Sequence, residues 1–117
     1  MTTRRTLLLL RHAKSDWSAG TNDDFSRPLS KRGRKDSPKM GTWMKRNGLI
    51  PDYIVSSPAS RARQTTELVC DAAGFDPGII TWNADLYLAD LQTLLEIAGN
   101  SPDPANTVML VGHNPGM

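Results

Sequence analysis

Cysteine is nearly absent from this chain. Cys70 is the single one among 117 residues. No disulfide can form within the chain, and the residue reads as a buried structural thiol. Long apolar runs are absent too. The run Thr6 to Leu10 is too short for a membrane span or a signal-peptide core, and no small-residue cleavage site follows it. A cytoplasmic location is therefore expected. Charge of one sign is also lacking: the formal net charge is +2, which argues against a nucleic-acid or membrane-surface protein. There are no repeats, no low-complexity tracts and no interdomain linker. What remains, 38% apolar and 22% charged residues, is the composition of an ordinary globular domain, and residues 1–117 are read as one domain.

Elements alternate along the chain. Thr6 to Leu10 predicts a strand buried on both faces, as in a parallel sheet. Ala19 to Pro28 reads as a loop. Ser30 to Asn47 predicts a helix capped by Ser30 and stopped by Gly48, with Met40, Trp43 and Met44 at helical spacing and Pro38 marking a first turn that is separate or kinked. Tyr53 to Val55 is a second strand. Ser60 to Ala73 is a second helix closed by Gly74, with Ala62, Thr65, Thr66 and Val69 on one face. Ile79 to Trp82 is a third strand, and Ala89 to Ala98 a third helix with Leu91, Leu94, Leu95 and Ala98 on one side. A loop from Gly99 to Asn106 holds two prolines. Thr107 to Val111 is a fourth strand, ending in Gly112-His113-Asn114-Pro115-Gly116. This alternation predicts an α/β domain with a mainly parallel sheet. The chain stops at Met117 just where another helix is expected to begin. Either a partner covers one sheet face or a C-terminal part is missing.

In open parallel sheets, function sits outside the carboxyl ends of the strands. The first strand delivers Arg11 and His12 there. The second leads through Ser56 and Ser57 to a helix start carrying Arg61 and Arg63. The fourth delivers His113. The chain has only two histidines, and both fall at strand ends. Arginine forks and helix N-termini suit phosphate oxygens. A neutral imidazole aimed at phosphorus can act as nucleophile, with the second imidazole and the arginines stabilising the transferring group.

The segments LLRHAKS, SSPASRARQT and VGHNPG resemble the three signatures of the histidine phosphatase superfamily, which includes phosphoglycerate mutases and acid phosphatases. DDFSRPLSKRGRKD, from Asp23 to Asp36, and LYLAD, from Leu86 to Asp90, are similar to its SixA-like phosphohistidine phosphatase branch. The resemblance runs from about Thr6 to Met117. It implies a phosphoglycerate mutase-like three-layer sandwich with helices on both faces of the sheet, cut short at its C-terminus. It implies His12 as phosphoryl-accepting nucleophile, Arg11 and Arg61 as phosphate ligands, and His113 as the second phosphate-binding imidazole. Arg63 falls on a variable position, and Ala13 stands where glycine is frequent. Asp85 is the nearest candidate for a general acid. No metal or organic cofactor is implied.

The implied activity is a phosphatase acting on a phosphorylated protein such as a histidine phosphorelay domain. A small-metabolite phosphomonoesterase and a non-catalytic phosphate-binding module are the alternatives. Neither nucleic acid nor membrane is expected as a partner. Ser57 reads as a helix-start cap. Lys31, Arg32, Arg34 and Lys35 read as a solvated helix face or a basic rim for acidic or phosphorylated substrates. Asp16, Trp17 and Asp24 lie in the loop after the nucleophile and shape substrate access or serve structure alone.

Overall fold

The computed structural model describes residues 6–18, 23–101 and 106–113. The Asn114-Pro115-Gly116 turn, residues 19–22 of the first loop and both prolines of the Gly99 to Asn106 loop lie outside them. Among the described residues four strands, β1 (Thr6–Arg11), β2 (Tyr53–Ser56), β3 (Ile80–Trp82) and β4 (Thr107–Gly112), form a parallel sheet in the order β1-β4-β2-β3. The helices are α1 (Lys31–Arg46), α2 (Ser60–Ala73) and α3 (Leu91–Gly99).

Alternation along the strands sorts the core into two layers. Ile54, Met109 and Val111 meet Met44 of α1 and Ala62, Val69 and Cys70 of α2 on one face. Val55, Val108 and Leu110 meet Leu94 of α3 on the other. The result is the expected three-layer α/β sandwich. Its helix ends follow local chemistry. Ser30 accepts from the Gly33 amide at the start of α1, and Gly74 takes the left-handed conformation that closes α2, φ 74°.

Several expectations are corrected. Among the described residues β1 stands at one end of the strand order, and only one of its faces is covered. Leu8 and Leu10 pack against the α1–α2 layer, but Leu7 and Leu9 are 37% and 47% exposed, because α3 packs over β2 and β4. Pro38 neither breaks nor detaches the first turn, and α1 is continuous through it. Of the apolar residues expected to be grouped on α1 and α3, Met44 and Leu94 are buried, whereas Met40, Trp43, Leu91 and Leu95 are exposed. The buried stripe of α1 is Gly33, Ser37, Gly41 and Met44 instead; Gly41 brings the helix backbone close to α2 at Val69, and Gly33 brings it close to Lys14.

Candidate active site

Strand register builds the site. Arg11 of β1 pairs with Gly112 of β4, so the next residues, His12 and His113, leave neighbouring strand ends together. The His12 amide donates to the Gly112 carbonyl at 3.0 Å, and the two imidazole centroids stand 5.2 Å apart. Ser56 pairs with Val111, which sets Ser57 beside the same exit. The Ser57 hydroxyl lies 2.8 Å from His113 Nε2. Ser57 is thus the holder of His113, and Ala59 occupies the cap position of α2 without a side-chain bond.

His12 Nδ1 lies 2.6 Å from the Ala13 carbonyl, so it carries the proton and donates. That leaves the Nε2 lone pair exposed to the cavity side, where Arg61 Nε–H donates to it at 3.3 Å. Burial lowers the His12 pKa, the bond to Ala13 opposes this, and the Arg61, Arg11 and Arg27 charges lower it again. Burial and the Arg61 guanidinium bring His113 down to about 4. Both rings are neutral at pH 7, the state a nucleophile requires. His113 Nδ1 is buried with no partner among the described residues, so an oxyanion is the natural acceptor for a proton there.

Arg61, on the first turn of α2, is 2% exposed. Thr65, one turn later, accepts from the Ala13 amide at 3.0 Å and donates to the Arg61 carbonyl at 2.8 Å, tying α2 to the loop after the nucleophile. A cavity of about 610 Å³ is lined by Arg11, His12, Lys14, Asp24, Arg61 and His113, among others. Four of the five expected residues therefore converge. Asp85 does not: it is exposed on the short 3-10 turn after β3, whose buried residue is Leu86. Asp85 lines a separate cavity with Tyr53, Thr81 and Glu96. Arg63 faces outward toward Glu67 at 4.0 Å.

The carboxylate that does line the pocket is Asp24. Its Oδ2 accepts from Arg61 at 2.9 Å and from the Tyr87 hydroxyl at 2.5 Å, and its Oδ1 accepts from Arg27 at 2.6 Å. The Tyr87 bond first, then Arg61, hold its pKa down at about 2. Arg27 is buried, donates to Ser15 at 3.1 Å and stacks its guanidinium 3.5 Å from the Trp17 ring centre. Sequence reasoning gave Arg27 and Tyr87 no role. A basic residue inside the Asp23 to Asp36 resemblance was the available signal for Arg27. Among the described residues, no group of three or more His, Cys, Asp or Glu side chains is placed to hold a metal ion.

Comparison with known proteins agrees with this geometry. The family model for histidine phosphatase superfamily (branch 1) matches residues 7–113. The chain belongs to this superfamily. An uncharacterised chloroplastic protein of Arabidopsis thaliana is 34% identical over 121 residues, covering 96% of this chain and 55% of that protein. An uncharacterised protein of Mycobacterium tuberculosis is 34% identical over 106 residues, covering 91% of this chain and 63% of that protein. The chain thus spans 55% and 63% of the lengths of these curated relatives. Among solved structures, a SixA of Agrobacterium tumefaciens, assigned as a phosphohistidine phosphatase, superposes with a TM-score of 0.88 at 35% identity, covering 99% of this chain and 73% of that one. The histidine phosphatase fold and its SixA-like form are therefore those of this chain.

Proposed function

We propose that this chain is a phosphatase domain that removes phosphoryl groups through a covalent phosphohistidine at His12, with a phosphohistidine on a protein as its substrate. The observation that carries this reading is the state of His12. Its Nδ1 proton is committed to Ala13 at 2.6 Å, which leaves the lone pair on Nε2 facing the arginine cluster, where it accepts a long bond from Arg61 Nε–H at 3.3 Å.

In the first step that pair attacks phosphorus as the bond to the leaving imidazole breaks. The departing nitrogen keeps the bonding electrons and takes a proton from solvent. Arg11, Arg61 and His113 Nδ1–H stabilise the charge on the phosphoryl oxygens. In the second step water attacks phosphorus, the P–N bond to His12 breaks, and phosphate leaves with neutral His12 restored. A leaving imidazole is a weak demand on acid catalysis, which suits a pocket whose carboxylate, Asp24, is ionised and bound to arginines. Similarity to the Agrobacterium tumefaciens SixA supports the protein substrate, as does the exposed rim formed by Trp17 and Leu88. A cytoplasmic location belongs to the same reading and is supported by Cys70 as a free buried thiol. No described helix is long and apolar enough to cross a membrane.

The test incubates the purified chain with a protein phosphorylated on histidine and, separately, with an aryl phosphate. Phosphate release and an acid-labile phosphoryl group trapped on His12 are expected, both lost in His12→Ala. Turnover of either substrate by His12→Ala at the parent rate would overturn the reading. Binding of phosphate without turnover would reduce the chain to a recognition module.

A further inference from the structure

The small net charge conceals a segregation. Twelve of the fourteen lysines and arginines precede Pro51, and eight of the twelve acids follow it. Helix α1 alone holds seven of the cations and one acid, Asp36. The face opposite its buried stripe is built from Lys31, Arg32, Lys35, Lys39 and Arg46, all exposed. A shallow groove of about 570 Å³ runs between Lys31, Arg32, Lys35, Asp36 and Lys39.

Fold stability does not account for this pattern. Cations in the first turn oppose the helix dipole, and α1 has no acid there. Lys31, Lys35 and Lys39 follow one another at i, i+4, where like charges repel. Asp36 offsets part of this through Arg32 at 3.5 Å.

The face begins at the active site. The Ser30 amide and hydroxyl both donate to the Lys14 carbonyl, at 2.8 and 3.0 Å, and Lys14 lines the catalytic cavity. From there α1 carries positive charge away from the pocket over roughly 22 Å. Trp43, 53% exposed, lies along one side of the face, next to Lys39 on the helix surface. Tryptophan is a residue type that protein interfaces bury.

We propose that the outward face of α1 docks an acidic surface of the protein that carries the phosphoryl group, setting that group over His12. This rests on the phosphoprotein reading above. A protein fits better than a polyanion. The acid-rich remainder of the chain repels an extended nucleic acid or an anionic bilayer, whereas a local acidic face meets α1 alone.

Binding is read in the His12→Ala background, so that turnover does not interfere. The probe is a histidine-containing phosphotransfer domain with an acidic surface, phosphorylated with phosphoramidate. Adding Lys31→Glu, Lys35→Glu and Lys39→Glu together is expected to raise its Kd about tenfold or more and to flatten the salt dependence of binding. With His12 intact, the same triple variant keeps its aryl phosphatase kcat/KM within about twofold, since the charges lie outside the pocket. Its melting temperature holds or rises, because acids replace cations near the helix N-terminus. An unchanged Kd overturns the proposal. So does failure of the parent to bind the phosphoprotein, including the case where it binds a DNA oligonucleotide or phosphatidylserine vesicles instead. Binding that depends on α1 without turnover of either substrate would sink the phosphatase reading while leaving the docking face in place.

Discussion

Asp24 occupies both terminal nitrogens of Arg61. Its carboxylate lies 2.9 Å from one, and its backbone carbonyl 2.6 Å from the other. The fork expected to grip phosphate is already filled by an internal anion. An incoming oxyanion must compete with that carboxylate or share Arg61 with it. Asp24→Asn keeps the shape and removes the charge. One charge in a partly exposed pocket is worth about 1 kcal/mol, or roughly a fivefold change in affinity. Tungstate or phosphate is therefore expected to inhibit Asp24→Asn more tightly than the parent by about that factor. Inhibition constants measured side by side check this, and weaker inhibition in the variant would show that the carboxylate serves anion binding by holding Arg61.

Ser57 and His113 form a second pair with a measurable consequence. Their bond, at 2.8 Å, is buried. A Ser57 hydroxyl that donates to Nε2 leaves the proton on His113 Nδ1, where an oxyanion can use it. Ser57→Ala strands the imidazole and is expected to destabilise the fold by about 1–3 kcal/mol. It also frees the tautomer, so kcat falls by roughly tenfold or more with KM less affected. Urea unfolding reads the first effect and steady-state kinetics the second. A purely structural Ser57 would move stability and leave kcat alone.

Protonation gives a pH signature. Both histidines are shifted below 6.5, His113 to about 4. Well above pH 6.5 neither is charged, folded or unfolded. As pH falls from 6.5 toward 4, the unfolded chain binds protons that buried His113 refuses, so stability declines across that window; below it the share of His113 levels off, and Asp24, held down from 3.8 to about 2, carries the decline further. Activity follows His12: kcat/KM is expected to be level from pH 8 to about 6.5 and to fall below that as the nucleophile protonates. An acid limb centred above pH 7, or a His113 proton resonance titrating near 6.5 in NMR, contradicts this assignment.

The parts that sequence predicted well were those set by local chemistry or by strand register. The span of α2 and its Gly74 stop follow from side-chain spacing and backbone freedom. His12 and His113 were legible as partners because parallel strands place their carboxyl ends on one edge. The role of Asp24 was not, because its partners Arg61 and Tyr87 are 37 and 63 residues away on elements whose approach no local pattern encodes. Asp85 failed as a candidate for the same reason. Position just after a strand does not determine which way a short 3-10 turn aims its acid. The exposure of Leu7 and Leu9 was hidden as well. A run of leucines reports burial preference, whereas the crossovers decide which strands a helix covers. Met40 and Trp43 occupy helical spacing but lie off the stripe that α2 contacts, and that stripe uses glycine and serine.

Two glycines separate stability from function. A Cβ on Gly33 would lie 2.2 Å from the Lys14 carbonyl oxygen, and one on Gly41 would lie 2.3 Å from the Val69 carbonyl oxygen. Neither distance is tolerable, and in both cases the obstacle is backbone, so something must shift. Each alanine substitution is expected to destabilise by about 1–3 kcal/mol. The consequences for chemistry differ. At Gly41 the strain falls on the α1–α2 seam, away from the pocket. At Gly33 it pushes on the loop that carries Lys14 directly after His12 and Ala13. A displacement of about 1 Å there lowers turnover by on the order of a hundredfold. Gly33→Ala should therefore lose kcat at temperatures where it is still folded, while Gly41→Ala keeps its kcat until it melts. Equal kcat in the two folded variants would mean that the loop yields without disturbing the nucleophile.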